Sequence, residues 1–414
     1  MRQTLKIYLP LLACQGGLLL GYDTGIIGSA LLFIQPEFHL TYSLQGLTAS
    51  TILLGIMLGL SSVSMLANRW EHRISITLAT IIYILGYMTI AITTHVFLLI
   101  LGRIIAGFAI GCLLIIIPLY LVEIAPIPLR GRFIAAFQLA ITFGIFLGYL
   151  FSYWLAHYAA WRLMFSCGLL WALLLLISSF YLPTSSPVID TTKQINTRSE
   201  TIFQRKYYYH FVIGIGLAIL AQLTGINAIM YFAPQVFQTL AGSNTSAVFS
   251  SLIIALGNFI FTIVTLFFLD SIGRRPILLF SLYLQCFSLA ILGAISWWPV
   301  SSEMMVFMLC ILAYIFGYAV GLGPISWIII SEIYPLAIRS KAMAMTIMIN
   351  NAAAFLITTS FLTLLQWLNK PYTFWLFSLI AFIGFVFVFI VVPETKQKSL
   401  EEIQTELNQS KKPH

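Results

Sequence analysis

The chain has 414 residues, of which 60% are hydrophobic and only 8% charged, with a net charge of +8 and a mean hydropathy of +0.98. A soluble domain carries about a quarter of its residues as charges, so this composition excludes a water-soluble protein of two or three globular domains. The positive excess does not indicate a nucleic-acid partner, because it is confined to one set of loops.

Apolar runs of about 20 residues are long enough to cross a hydrocarbon core of about 30 Å. Such runs predict spans at 7–33, 44–66, 74–93, 96–120, 133–155 and 161–182, then at 211–233, 246–269, 277–297, 304–330, 341–366 and 372–392. Arg2 and Lys6 precede the first run as in a signal peptide, but the run is too long and no small-residue cleavage pattern closes it, so it reads as the first span. The runs are continuous rather than alternating, which excludes a β-barrel. The expectation is an all-α membrane protein. It has an N-terminal six-helix bundle over 1–182, a cytoplasmic linker over 183–209, a C-terminal six-helix bundle over 210–393 and a cytoplasmic tail over 394–414.

With twelve spans, both termini and alternate loops share one side. That side holds Lys and Arg at 2, 6, 69, 73, 130, 132, 193, 198, 205, 206, 274, 275, 339, 341, 396, 398, 411 and 412. The opposite side holds only Arg162 and Lys370. Positive charge marks the cytoplasmic face, which puts both termini inside the cell. The five cysteines lie within or beside spans with no metal-like spacing, so neither disulfide nor metal is expected.

A phrase recurs between the halves: Glu123 to Arg130 (EIAPIPLR) returns as Glu332 to Arg339 (EIYPLAIR), 209 positions on. A looser pair, Asn68 to Arg73 and Asp270 to Arg275, stands 202 apart. Two pairs at nearly equal offset indicate one ancestral half used twice, with a seam between the copies. The polar residues of these phrases fall at the cytoplasmic ends of spans 2, 4, 8 and 10. Arg69, Arg73, Glu123, Arg130, Asp270, Arg274, Arg275, Glu332 and Arg339 therefore form the expected cytoplasmic gate, with the two glutamates facing the arginines.

One acid, Asp23, and one base, Arg103, lie well inside spans. Buried charges in a bilayer cost roughly 2.5–3.5 kcal/mol each even on lenient scales, so they face the bundle interior and pair. Span 1 runs outward and span 4 inward, and the two residues are placed at similar depth below the outer rim. Two readings are open, a fixed structural ion pair or a carboxylate that gains and loses a proton. Burial and a neighbouring Arg act on such a carboxylate in opposite directions.

Neutral hydrogen-bonding groups also lie deep in the spans: Gln138, Gln222, Asn227, Asn258, Asn350, Asn351 and the indole of Trp327. Amides offer donors and acceptors for hydroxyls, and an indole offers a face for C–H groups, which suits a sugar. The competing reading is interhelical polar contact without a ligand. Gln222 and Asn227 are five apart, splayed by about 140° on a regular helix. They converge only if the chain unwinds at Thr224-Gly225.

These residues together resemble the sugar porter branch of the major facilitator superfamily, nearly end to end. The resemblance is carried by GYDTGIIGS (21–29), GRIIAGFAIG (102–111) running to PLYLVEIAPIPLRG (118–131), QLAITFG (138–144), WRLMF (161–165) and QLTGINAIMYFAP (222–234). It continues in DSIGRRP (270–276), GLGPISWIIISEIYPLAIR (321–339) and VPETKQKSLEEI (392–403). The resemblance implies the major facilitator fold, alternating access, and a monosaccharide or cyclitol bound by Gln138, Gln222, Asn227, Asn258, Trp327 and Asn350. It implies proton coupling through Asp23 with Arg103 as its partner, since animal facilitative glucose carriers have Asn at the first position. Four departures stand out. Ala221 precedes Gln222 where the family usually has a second Gln. Asn351 stands where an aromatic is frequent. Asn68, Glu71 and His72 replace Asp, Gly and Arg of the first cytoplasmic loop. The segment Pro183 to Pro187 replaces the usual Pro-Glu-Ser-Pro-Arg.

The expected function is import of a monosaccharide or cyclitol with a proton, across a bacterial inner membrane, by a functional monomer that needs no cofactor and is not an enzyme. The alternatives are an uncoupled sugar uniporter and, less favoured because the tail is short, a non-transporting nutrient sensor. No nucleophile–base or metal set is present to suggest catalysis.

Overall fold

The computed structural model describes residues 2–67, 71–124, 130–182, 204, 207–268, 273–297, 303–335, 338–396 and 402. The helices are α1 (Arg2–Phe38), α2 (Tyr42–Ala67), α3 (His72–Ala91), α4 (Val96–Ile124), α5 (Arg130–Ala156) and α6 (Trp161–Phe180), which supply the first six spans. Span 7 is split into α7 (Tyr208–Leu223) and α8 (Ile226–Ala241). Spans 8 and 9 are α9 (Asn244–Phe268) and α10 (Arg274–Trp297). Span 10 is α11 (Glu303–Gly317), a π-helical turn over Tyr318–Leu322, and α12 (Gly323–Ile333).

The last element, α13 (Arg339–Val391), is 53 residues long, far more than one crossing needs. It is interrupted at Asn369, which has φ 63° and ψ 168°. Across that break Thr373 Oγ1 donates to the carbonyls of both Asn369 (2.8 Å) and Leu364 (3.2 Å). Residues nine apart on a straight helix are about 13 Å apart along its axis. The chain therefore doubles back here, and α13 supplies spans 11 and 12, so the protein is an all-α, twelve-span membrane protein.

One boundary differs from expectation. Helix α1 continues to Phe38 rather than ending near 33, because the charge of Glu37 in its last turn is met. Arg162 Nη2 donates to Glu37 Oε1 at 2.7 Å, and Trp161 Nε1 to Oε2 at 2.6 Å. Asp23 is consequently 15 residues from the end of its helix, farther than the shorter span places it. The linker 183–209 lies outside the described residues except for 204 and 207–209, as does the tail beyond 396 apart from 402.

Two compact units are present within the twelve-span fold. The first comprises α1–α6 together with Ala228–Phe259 and Thr358–Thr363. Its helices are drawn together by glycines at i, i+4 spacing, the small-residue device of membrane helices. A Cβ at Gly21 or Gly25 would lie within 2.4 Å of the Ile141 or Ile145 carbonyl oxygen on α5. Gly55 and Gly59 on α2 likewise abut the Ile104 and Phe108 carbonyl oxygens on α4. Within this unit Tyr149 of α5 donates to the Met230 carbonyl, and Gln235 Nε2 donates to the Gly28 carbonyl at 3.1 Å. The second unit centres on a buried apolar cluster with Ile213 and Leu217 of α7, Leu278 and Leu282 of α10, and Ile325, Ile329 and Ile333 of α12.

Candidate functional site

In the first unit Asp23 and Arg103 come together as expected, at 1% and 0% exposure. Arg103 Nη2 lies 3.3 Å from Asp23 Oδ2, and Nη1 lies 3.4 Å from Oδ1. Nη2 is also anchored on the Ala49 carbonyl at 3.0 Å. A third helix contributes: the Tyr87 hydroxyl donates to Asp23 Oδ1 at 2.8 Å. Nothing in the composition of span 3 had singled out Tyr87. Two further candidates belong to this unit. Gln138 is exposed on α5, and Asn258 is 9% exposed on α9.

In the second unit the span-7 break is present. Helix α7 stops at Leu223, Gly225 takes φ +90°, and α8 starts at Ile226. Gly225 suits this position because a side chain there would be forced into the left-handed region. The broken ends are held: Gly225 N–H donates to the Gln222 carbonyl at 2.9 Å, and Tyr314 OH donates to the Thr224 carbonyl at 2.9 Å.

The unwinding lets the amides meet. Asn227 Nδ2 donates to Gln222 Oε1 at 2.8 Å, and Gln222 Nε2 donates to Asn350 Oδ1 at 3.3 Å. Asn350 Nδ2 closes the chain on the Ala218 carbonyl at 2.9 Å. A side-chain amide has capacity for about four hydrogen bonds, and this chain uses one or two at each residue. The remaining donors and lone pairs can serve ligand hydroxyls. Asn351 is not part of it, since its Nδ2 turns back to the Ile347 carbonyl at 2.9 Å. Trp327, on α12, packs against the apolar cluster of the same unit and is half-buried.

The expected gate residues fall into two groups. In the first unit Arg69 lies outside the described residues, as does the side chain of Arg130, the first residue of α5. Arg73 lies in the first turn of α3, and Glu123 Oε2 stands 3.7 Å from His72 Nδ1. In the second unit Asp270 is outside the described residues. Arg274 Nη2 lies 3.8 Å from Glu332 Oε1, as the sequence suggests. Arg339 Nε donates to the Tyr334 carbonyl at 3.0 Å, and Arg275 Nη2 donates to the Phe389 carbonyl.

Glu394, an unassigned residue of the PETK sequence, acts on the same end of the second unit. Its carboxylate accepts the backbone N–H groups of Arg274 (3.0 Å), Arg275 (3.2 Å) and Lys396 (2.9 Å). The first N–H groups of a helix have no partner within it, and the helix dipole favours an anion there. Glu394 thus caps α10 from beyond span 12. Partial burial pushes its carboxyl up, but the N–H groups of Lys396, Arg274, Arg275 and Thr395 together hold it below the usual 4.5. The available sequence signal was an acid next to proline beyond the last span, with no capping side chain at Gly273 before α10.

Comparison with known proteins places the chain in a family. The family described as Sugar (and other) transporter matches residues 9–187 and again 186–407, so the chain belongs to that family, within the major facilitator superfamily. It is a multi-pass membrane transport protein and not an enzyme. It is 32% identical to the probable metabolite transport protein CsbC of Bacillus subtilis, over 98% of this chain and 95% of the relative. It is 29% identical to the galactose-proton symporter of Escherichia coli K12, over 99% and 96%. Among solved structures, the inward open conformation of the xylose transporter XylE from E. coli superposes with a TM-score of 0.84, at 25% identity, covering 96% of this chain and 98% of that one.

Proposed function

We propose that the chain imports a monosaccharide or cyclitol together with a proton, by alternating access, at the plasma membrane of a bacterium with both termini in the cytoplasm. The observation that carries the coupled reading is the Asp23–Arg103 pair, fully buried yet joined by long contacts of 3.3 and 3.4 Å. Charge-assisted bonds of this type are usually about 2.7–2.9 Å. A pair held loosely, whose base has a second acceptor in the Ala49 carbonyl, is suited to separating when the carboxylate is protonated. One proton crossing about 150 mV releases roughly 3.5 kcal/mol, on the order of a 300-fold accumulation.

The sugar is proposed to bind to Gln222, Asn227 and Asn350 in the second unit with Trp327 as an apolar face, and to Gln138 and Asn258 in the first. The amide chain supports this reading because its groups are held in place while part of their capacity is left unused. Arg73, Glu123, Arg130, Arg274, Arg275, Glu332 and Arg339, with Arg69 and Asp270, are proposed to bias which face is open. Small energy terms suffice for that when two states differ by a few kcal/mol.

The test is transport by purified protein in liposomes. Counterflow across a panel of hexoses, pentoses and cyclitols identifies the substrate, and an imposed pH gradient then drives its accumulation. Asp23→Asn is expected to abolish accumulation while retaining counterflow. Accumulation that persists in Asp23→Asn, or a wild type indifferent to the gradient, would falsify symport and leave the uniporter.

A further inference from the structure

The shortest hydrogen bond on the buried carboxylate comes from a neutral group. Tyr87 OH to Asp23 Oδ1 is 2.8 Å, against 3.4 and 3.3 Å from Arg103. The Tyr87 ring is fixed on three sides. It stacks on Tyr83 at 4.3 Å and 25°, meets the edge of Phe165 at 5.8 Å, and lies over Gly168, where a Cβ would come within 2.5 Å of its Cε1. Arg103 Nη2, in contrast, already has a second acceptor in Ala49. The two carboxylate oxygens are therefore unequal. Oδ1 is held by an immobilised phenol at 2.8 Å as well as by Arg103 Nη1 at 3.4 Å, and Oδ2 is met, among the described residues, by Arg103 Nη2.

We propose that Tyr87 is a positioning residue for proton uptake: it keeps hold of Asp23 by Oδ1 in both protonation states and leaves Oδ2 as the oxygen that takes the proton. This deepens, and rests on, the proton-coupled reading. On uptake a proton bonds to Oδ2, and the Arg103 Nη2···Oδ2 and Nη1···Oδ1 contacts are both lost. Nη2 stays on the Ala49 carbonyl, and the Tyr87 O–H···Oδ1 bond persists, so the side chain does not swing. Release reverses these changes. The other titratable groups that feel the Asp23 charge are Tyr83 on α3 and Tyr231 on α8. Tyr22 on α1 is committed to the Met164 carbonyl at 2.8 Å.

The test is the pH dependence of gradient-driven uptake in liposomes, using a sugar that the wild type transports. Tyr87→Phe keeps the stack on Tyr83 and removes the donor. A hydrogen bond to the ionised form favours that form, so its loss moves the half-maximal pH upward, by about one to two pH units. Gly168→Ala, which pushes the ring off Asp23 with its hydroxyl intact, is expected to move it the same way. Size-exclusion profiles report folding of each variant, and folded variants whose midpoints match the wild type overturn the proposal. A readout on the wild type needs neither variant to fold. The C=O stretch of protonated Asp23, identified by its loss in Asp23→Asn, is expected at the lower frequency of a hydrogen-bonded carbonyl, and the frequency of a free one overturns the proposal. A wild type unaffected by the pH gradient defeats the symport reading instead. A responsive wild type with unmoved variants defeats only the role of Tyr87.

Discussion

Asn227 donates to Gln222 at 2.8 Å across five positions of one span, because the chain between them leaves the helix at Gly225. The two amides become one polar surface, continued by Asn350 from span 11.

Truncating this surface is expected to weaken sugar binding rather than folding. Gln222→Ala removes both links at once, and Asn227→Ala only one. A neutral hydrogen bond is worth about 0.5–1.5 kcal/mol, roughly a factor of 2 to 10 each. Half-saturation in counterflow should therefore rise more for Gln222→Ala than for Asn227→Ala. Equal, unchanged values for both variants would remove the amide chain from the binding site.

Gly225→Ala is expected to damage the break itself. An L-residue at φ +90° is strained by about 1–2 kcal/mol, and the new Cβ would lie 3.1 Å from the Phe377 ring. A lower melting temperature together with weaker sugar binding is the expected pair of results. A change in stability alone would mean that the amides find each other by another route.

Arg103→Lys separates charge from geometry. Lysine keeps the positive charge but cannot reproduce the planar fork that spans both Asp23 oxygens and the Ala49 carbonyl. Accumulation should fall sharply, while the protein should remain extractable. Arg103→Ala leaves a buried carboxylate with its counter-charge removed, which costs about 3–5 kcal/mol, so that variant should be markedly less stable than the lysine variant.

Glu394 makes stability depend on pH in a defined direction. Its carboxyl is held below the ordinary 4.5, so the native state favours the ionised form. Its contribution is complete above about 4.5 and is lost as the pH falls through the lower native value. Glu394→Gln should melt a few degrees below the wild type at neutral pH, with the difference closing in acid. Thermal denaturation in detergent at several pH values measures this, and a gap that widens in acid would contradict it.

Much of this protein is legible in its sequence, for reasons that differ by residue. Asp23 and Arg103 stand out because ionised groups are so costly in a bilayer that two of them at comparable depth point to each other. The break at Thr224-Gly225 is legible because Gln222 and Asn227 cannot meet on a regular helix. Tyr87 is hidden: the chain has 19 tyrosines, and a phenol in a span counts as apolar until its single polar atom is placed. Glu394 is hidden for another reason, since its partners are backbone N–H groups that look alike in every residue. The full extent of α1 is hidden because the partners of Glu37, Trp161 and Arg162, lie more than 120 positions away in the chain.

The cap that Glu394 places on α10 has a consequence for biogenesis. The amide hydrogens at the start of α10 wait for an acceptor encoded 120 positions downstream of Arg274. Membrane insertion of the ninth span can proceed as it leaves the ribosome, but its entry turn is finished only after the twelfth has been made. Maturation of this half thus waits until the twelfth span has been made, and chains cut short of residue 394 should be cleared by quality-control proteases although nearly every span is already in the bilayer.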